Sequence, residues 1–263
     1  MTATLSCERA SFGYGHEPIV RDVTLTIERG QLWALLGPNG AGKSTLIRGL
    51  AGLLPARDGR VSLGDVALSS LASRARAQQI AWLSQEDAAP EGISVAQLVA
   101  LGRAPHTPWH GALSRRDQDA VESAISWANL QGLSHRSVSE LSGGERRRAA
   151  LARLRAQGAG VLLFDEPTAF LDPKQQWWVA DAIARMTRDE GRAAAMVLHD
   201  PAMALRFATH AALMRDGAIV RAGAVAEVIT SESLAAVFDV DARVARDPST
   251  GLAYVVTVSD SAG

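Results

Sequence analysis

Leu32-Trp33-Ala34-Leu35-Leu36-Gly37-Pro38-Asn39-Gly40-Ala41-Gly42-Lys43-Ser44-Thr45 is the stretch from which the rest of the chain is read. Its first five residues are all apolar, the pattern of a strand buried on both faces. From Gly37 the sequence fits G-x-x-x-x-G-K-[ST], a phosphate-binding loop. Glycines let the backbone curl so that successive N–H groups point at phosphate oxygens. Lys43 adds a fixed positive charge for the β- and γ-phosphates, and Ser44 offers a hydroxyl to Mg2+. Ser44 to Leu50 then reads as a helix, whose N-terminus favours anions. Strand before and helix after separate this from a chance glycine-rich turn. Lysine is also rare: only Lys43 and Lys174 occur among 27 basic residues. A lysine at so demanding a position is not an accident of composition.

Working outward, Val23 to Glu28 alternates apolar and polar, which predicts a half-buried antiparallel strand. Gln79–Leu83, Val161–Phe164 and Ala193–Leu198 read as further buried strands. Helices are expected over Pro173–Arg188 and about Pro201–Ala208, so strands and helices alternate as in parallel βαβ units. Asp216-Gly217 and the turn at Asp247-Pro248 predict two hairpins. Between Gln85 and Gly158 strand candidates vanish. Ser94–Gly102 and Ser114–Leu130 have helical period, and Ser114 with Asp117 resembles a capping pair. The expected organisation is an α/β core formed by residues 1–85 and 158–263, interrupted by a helical subdomain over 86–157.

The chain has 263 residues, 47% hydrophobic and 21% charged, and a net charge of −1. That is the mix of an ordinary globular protein, with no basic excess pointing to nucleic acid. Cys7 is the only cysteine, which excludes an intrachain disulfide or a cysteine-rich zinc site. The N-terminal residues lack a secretory pattern, and no apolar run approaches the ~18 residues a membrane helix needs. The run Arg146-Arg147-Arg148 reads as solvated or interface charge on a helix. His106 and His110 are four apart, but Pro108 between them argues against a shared helix face and a metal site.

Two further motifs carry chemistry. Val161-Leu162-Leu163-Phe164 delivers Asp165 and Glu166 to the C-terminal end of a strand, where ligands bind in open α/β sheets. Asp165 can hold Mg2+ and Glu166 can polarise an attacking water. Alone, the two could be ordinary loop carboxylates; beside a phosphate loop they gain meaning. Leu141-Ser142-Gly143-Gly144-Glu145 contains an S-x-x-E capping box that opens a helix running to Gln157. A plain cap has no need of two glycines, each weakening a helix by ~1 kcal/mol. They leave the helix N-terminus bare for close approach of an anion.

Leu-Ser-Gly-Gly-Glu about 20 residues before a strand ending Asp-Glu, with a phosphate loop upstream, resembles the ATP-binding subunit of an ABC transporter. The resemblance covers nearly the whole chain. It implies a P-loop NTPase (RecA-like) core with an antiparallel β subdomain and an inserted helical one. Tyr14 resembles the aromatic that stacks on adenine, and Gln85 the glutamine near Mg2+ and the attacking water. Ala169 to Asp172 resembles the D-loop, and His199 the switch histidine that contacts the γ-phosphate. Each residue alone has a bland reading in packing or a satisfied hydrogen bond; their order and spacing carry the resemblance. Phe170, bulkier than the usual D-loop residue, and Arg147, in place of a common glutamine, depart from the family pattern.

The resemblance implies ATP and Mg2+ as cofactors. ATP would be held by Tyr14, by Gly37 through Thr45, and by Ser142, Gly143 and Gly144. Ser44, Gln85 and Asp165 would hold the metal. Lys43, Gln85, Glu166 and His199 would carry hydrolysis. Leu98 to His106 is similar to a stretch found in importers of ferric siderophores, haem and cobalamin. The partners implied are membrane permease subunits, a second copy of the chain and, indirectly, a periplasmic or extracellular substrate-binding protein, at the cytoplasmic face of the cell membrane. Nucleic acid is not expected. The rival reading is a soluble ATPase of the same family acting in DNA repair or translation. Only 56 residues separate Gln85 from Ser142, too few for a long coiled coil, and there is one cassette rather than two.

Overall fold

In chain order the strands and helices are β1 (Leu5–Phe12), β2 (Val20–Ile27), β3 (Leu32–Leu36), α1 (Lys43–Leu50), β4 (Asp58–Leu63), β5 (Val66–Ala67), α2 (Ser73–Gln79) and β6 (Ile80–Leu83). There follow α3 (Val95–Leu101), α4 (Arg115–Trp127), α5 (Gly143–Gln157), β7 (Val161–Phe164), α6 (Pro173–Arg188), β8 (Ala193–Val197) and α7 (Pro201–Phe207). The chain closes with β9 (His210–Arg215), β10 (Ala218–Ala224), α8 (Val225–Val228), α9 (Ser231–Phe238), β11 (Ala242–Arg246) and β12 (Ala253–Thr257). These come from a computed structural model that describes residues 4–85, 90, 92–108 and 111–257. His110, paired above with His106, lies outside the described residues.

The central sheet has six strands in the order β10-β9-β3-β8-β7-β6. All are parallel except β10, which returns from β9 through Asp216-Gly217, both at positive φ as a tight hairpin turn requires. Every residue of β3, β7 and β8 is buried. Alternate side chains enter opposite faces. Leu32, Ala34 and Leu36 join Leu162, Phe164 and Met196 in one apolar cluster, under α5, α6 and α7. Trp33, Leu35, Val161, Leu163 and Val197 enter a second, shared with α1 and the antiparallel sheet β2-β1-β4-β5. That sheet contains the alternating segment read above, with Val23, Leu25 and Ile27 inward.

A third apolar cluster lies among α3, α4 and α5, with Leu98, Val121, Ile125 and Ala152 at its centre. Helix α5 belongs to two clusters. Ala150, Leu151 and Leu154 face the sheet, and Ala149, Ala152 and Ala156 face α3 and α4. Its C-terminal end is held by a polar knot. Arg103 donates from Nη1 to the carbonyls of Ala156 at 2.7 Å and Gln157 at 3.3 Å, and from Nε to Asp117 at 2.8 Å. His106 Nε2 lies 2.8 Å from the Gln157 carbonyl. From the other side Arg74 and Gln78 of α2 donate to the Pro105 carbonyl, and the Gln157 amide donates to Ala77 and Ile80. The bonds to Ala77, Ala156 and Gln157 satisfy carbonyls that a helix end leaves without partners.

Candidate functional site

Because β6, β7, β8 and β3 run parallel, their C-terminal ends open on one edge of the sheet. Residue pairing aligns Leu83 with Phe164, Phe164 with Met196, and Leu35 with Val197. The residues just beyond, namely Gln85, Asp165-Glu166, His199 and the loop from Gly37, are thereby brought together. Ligands bind at this edge in open α/β sheets. A cleft of about 320 Å3 there is lined by Asn39, Gly40, Gly42, Lys43, Ser44, Thr45, Glu166 and His199, with Ile19 at its side.

The loop is shaped for an anion. A Cβ on Gly37 would stand 2.2 Å from the Met214 carbonyl, so no side chain fits. Gly42 caps α1 in the left-handed region, with φ 92°, and offers no side-chain cap. The first turn of α1 has no acidic residue either, so its N–H groups and dipole face the cleft. Lys43 is buried, and its Nζ donates to the Gly37 and Pro38 carbonyls at 2.8 and 2.9 Å. An ammonium has three donors. Burial pushes its pKa below the usual lysine value, against the opposing pull of Glu166 and Asp165.

Across the cleft, Ser44 Oγ donates to Asp165 Oδ1 at 2.7 Å. Asp165 is buried, and desolvation raises its pKa despite the Ser44 bond and the nearby Arg48. Its Oδ2 is buried without a hydrogen-bond partner, 3.8 Å from Arg48 Nη2. A buried carboxylate oxygen in that condition, beside a serine hydroxyl, suits a hard divalent cation taking oxygen ligands. Among the described residues no group of three or more His, Cys, Asp or Glu could hold a metal. A cation here would need further ligands, from water or a bound anion.

Glu166 is held from two sides. Gln85 Nε2 donates to its Oε2 at 3.0 Å, and His199 Nε2 lies 2.7 Å from its Oε1. Its backbone adopts φ 48°, a left-handed conformation that costs a non-glycine residue about 1 kcal/mol or more and clusters at functional sites. The carboxylate is thus fixed at the mouth of the Lys43 cleft and can orient or deprotonate a water.

Ser142, Gly143 and Gly144 do not line that cleft. The capping box read from sequence is formed. Ser142 N donates to Glu145 Oε2 at 2.9 Å and Glu145 N to Ser142 Oγ at 3.3 Å. The Ser142 backbone, then its hydroxyl, holds the Glu145 carboxyl below its usual pKa. Ser142 and Gly143 are exposed, and a Cβ on Gly143 would meet nothing within 4 Å. Tyr14 is 58% exposed, away from the cleft lining, and its hydroxyl accepts from Arg48 Nη1 at 2.9 Å. Phe170 is 94% exposed at φ 60°. Arg147 reaches the carbonyls of Ser84 and Gln85, each at 3.4 Å, and so steadies the backbone that carries Gln85.

Sequence reasoning missed Arg48, which links Asp165 to Tyr14, and Ile19. Arg48 has one signal: it lies one helical turn beyond Ser44, on the same face of α1.

A family model described as "ABC transporter" matches residues 20–169. The ferric enterobactin transport ATP-binding protein of Escherichia coli (strain K12) is 36% identical over 99% of this chain and 96% of its own. The iron(3+)-hydroxamate import ATP-binding protein of Bacillus subtilis (strain 168) is 34% identical over 97% of this chain and 94% of its own. Among solved structures, a metal-chelate type ABC transporter in an inward-facing conformation superposes with a TM-score of 0.86 at 25% identity, covering 99% of both chains.

Proposed function

The chain belongs to the ABC transporter family, and from that membership we propose how its residues perform ATP hydrolysis for a membrane importer. It is an ATP-binding subunit and an ATPase that powers import; the relatives do not favour the DNA-repair or translation reading. The observation that carries the residue assignment is Glu166 pinned by Gln85 and His199 beside the Lys43 cleft.

On this reading the Gly37–Thr45 backbone binds the phosphates, and Lys43 turns its charge on the β- and γ-groups. Tyr14 stacks on adenine. Ser44, Asp165 and Gln85 are the residues that would hold Mg2+, which when bound neutralises phosphate charge; the unpartnered Asp165 oxygen supports this. Glu166 takes the proton of the attacking water, and His199 stabilises the γ-phosphate. Ser142 and Gly143, which are exposed, and Gly144, which is half-buried, all lie outside the chain's own cleft and bind the ATP held by a second copy.

Residues 86–157 form the helical unit that meets the permease, and residues 1–85 and 158–263 the nucleotide-binding core. The protein works at the cytoplasmic face of the cell membrane with permease subunits, and indirectly with a substrate-binding protein outside. No helix among the described residues is long and apolar enough to cross a membrane. The cargo is an iron chelate, as the enterobactin and hydroxamate relatives suggest, with cobalamin the second candidate from the Leu98–His106 resemblance.

Glu166→Gln tests the central role. An amide can orient water but cannot take its proton. ATP affinity should stay within a few fold while phosphate release falls by about 10²–10⁴. Sustained phosphate release by the variant would remove Glu166 from the reaction.

A further inference from the structure

We propose that a cavity at the C-terminal end of α5 binds a soluble, phosphate-bearing anion. The cavity, about 580 Å3, is lined by Arg103, His106, Arg116, Asp117, Arg155 and Arg192. It lies on the opposite edge of the sheet from the Lys43 cleft. Arg192 precedes β8 and Gly158 precedes β7, whereas Asp165, Glu166 and His199 follow them. Helix α5 runs from the Ser142 turn, outside the Lys43 cleft, to this cavity, roughly 22 Å away along its axis.

Charge identifies the ligand. Arg103 is matched by Asp117, whose second oxygen accepts from Ser114 Oγ at 2.6 Å. Arg155 and Arg192 share one carboxylate. Arg155 Nε lies 2.9 Å from Glu190 Oε1 and Arg192 Nη2 2.7 Å from Glu190 Oε2. Arg192 Nη1 is buried without a hydrogen-bond partner, and burial lowers the pKa of this guanidinium below its usual value. Arg116, at the rim, has no ion pair among the described residues. Four guanidiniums thus face two carboxylates, and the excess matches a phosphate dianion.

Guanidinium forks bind phosphate bidentately, which an ammonium cannot do. His106 donates from Nε2 to the Gln157 carbonyl, which holds its ring in the cavity wall. The volume exceeds that of phosphate alone and falls in the range of small-molecule sites. Ala120 and Ala156 are the only apolar residues lining it among those described, so nothing there accommodates an acyl chain. A free anion fits better than a lipid headgroup.

The test is titration of the full chain with inorganic phosphate, read by amide shifts of residues 103, 104, 106 and 192. Saturating AMP-PNP with Mg2+ occupies the Lys43 cleft, and AMP-PNP affinity is measured first, so failure of the nucleotide assignment shows separately. Saturable shifts at those amides are expected. Arg116→Gln should weaken phosphate binding several-fold, and Arg116→Gln with Arg192→Gln at least tenfold, both with unchanged AMP-PNP affinity. Arg116 is exposed, so its replacement leaves the fold intact and decides the matter should the double variant unfold. Absence of saturable shifts, unchanged phosphate affinity in Arg116→Gln, or binding to phosphatidylglycerol vesicles without binding of free phosphate would each overturn the proposal.

Discussion

Lys43 and Asp117 show how differently a buried charge can be used. Lys43 gives two donors to its own loop and sits in an anion cradle, with its pKa lowered by desolvation. Lys43→Ala should reduce ATP affinity at least about tenfold, the worth of one charge-assisted hydrogen bond or more, by fluorescent-nucleotide titration. Wild-type affinity would contradict the loop assignment. Asp117 is structural. Ser114 and Arg103 hold its carboxyl down to about 2, from 3.8. A depressed carboxyl pKa stabilises the fold above the unfolded-state value, and the contribution is lost as pH falls toward the folded-state value. Asp117→Asn leaves Arg103 without its carboxylate and should cost about 3 kcal/mol near neutral pH. Denaturant unfolding should show that cost shrinking as pH drops from about 4 to about 2. A pH-independent difference would mean that the ion pair is not its source.

Helix α5 carries the element-scale question, because Ser142 is both a cap and an exposed hydroxyl. As a cap alone, Ser142→Ala costs about 1 kcal/mol, or about 2–4 °C of melting temperature in a protein of this size, and spares turnover. Facing a second chain's ATP, it should cost turnover far more than stability. Melting curves beside an ATPase assay separate the two, and unchanged turnover would leave Ser142 a cap. Elements were legible where local chemistry marks them. Pro173 after the Asp172 cap opens α6, and the all-apolar run of β3 is buried throughout. Strand β4 gave no signal because Asp58, Gly59 and Arg60 are exposed, and α2 none because it buries no residue. Of the candidate site, Gly37 to Thr45, Asp165-Glu166 and Leu141 to Glu145 stood out as contiguous runs, whereas Tyr14, Gln85 and His199 are single residues that entered only with the resemblance. Arg48 beside Asp165, and Arg103 closing the end of α5, were not legible, because those contacts exist only once distant segments pack.

At the scale of the whole molecule, the phosphate cleft and the Ser142 turn are separate surfaces of one chain. On the proposed assignment hydrolysis requires two chains, each completing the other's ATP site. Glu166→Gln should trap that state, because Lys43 and Asp165 still bind while the proton-accepting step is lost. Light scattering of this variant at high protein concentration, with and without ATP and Mg2+, tests the claim most directly. The mass should double from the 27.8 kDa of one chain only when both are present, and the doubling should be lost when Ser142→Ala is added. A species that remains at the monomer mass with ATP bound to saturation would contradict it.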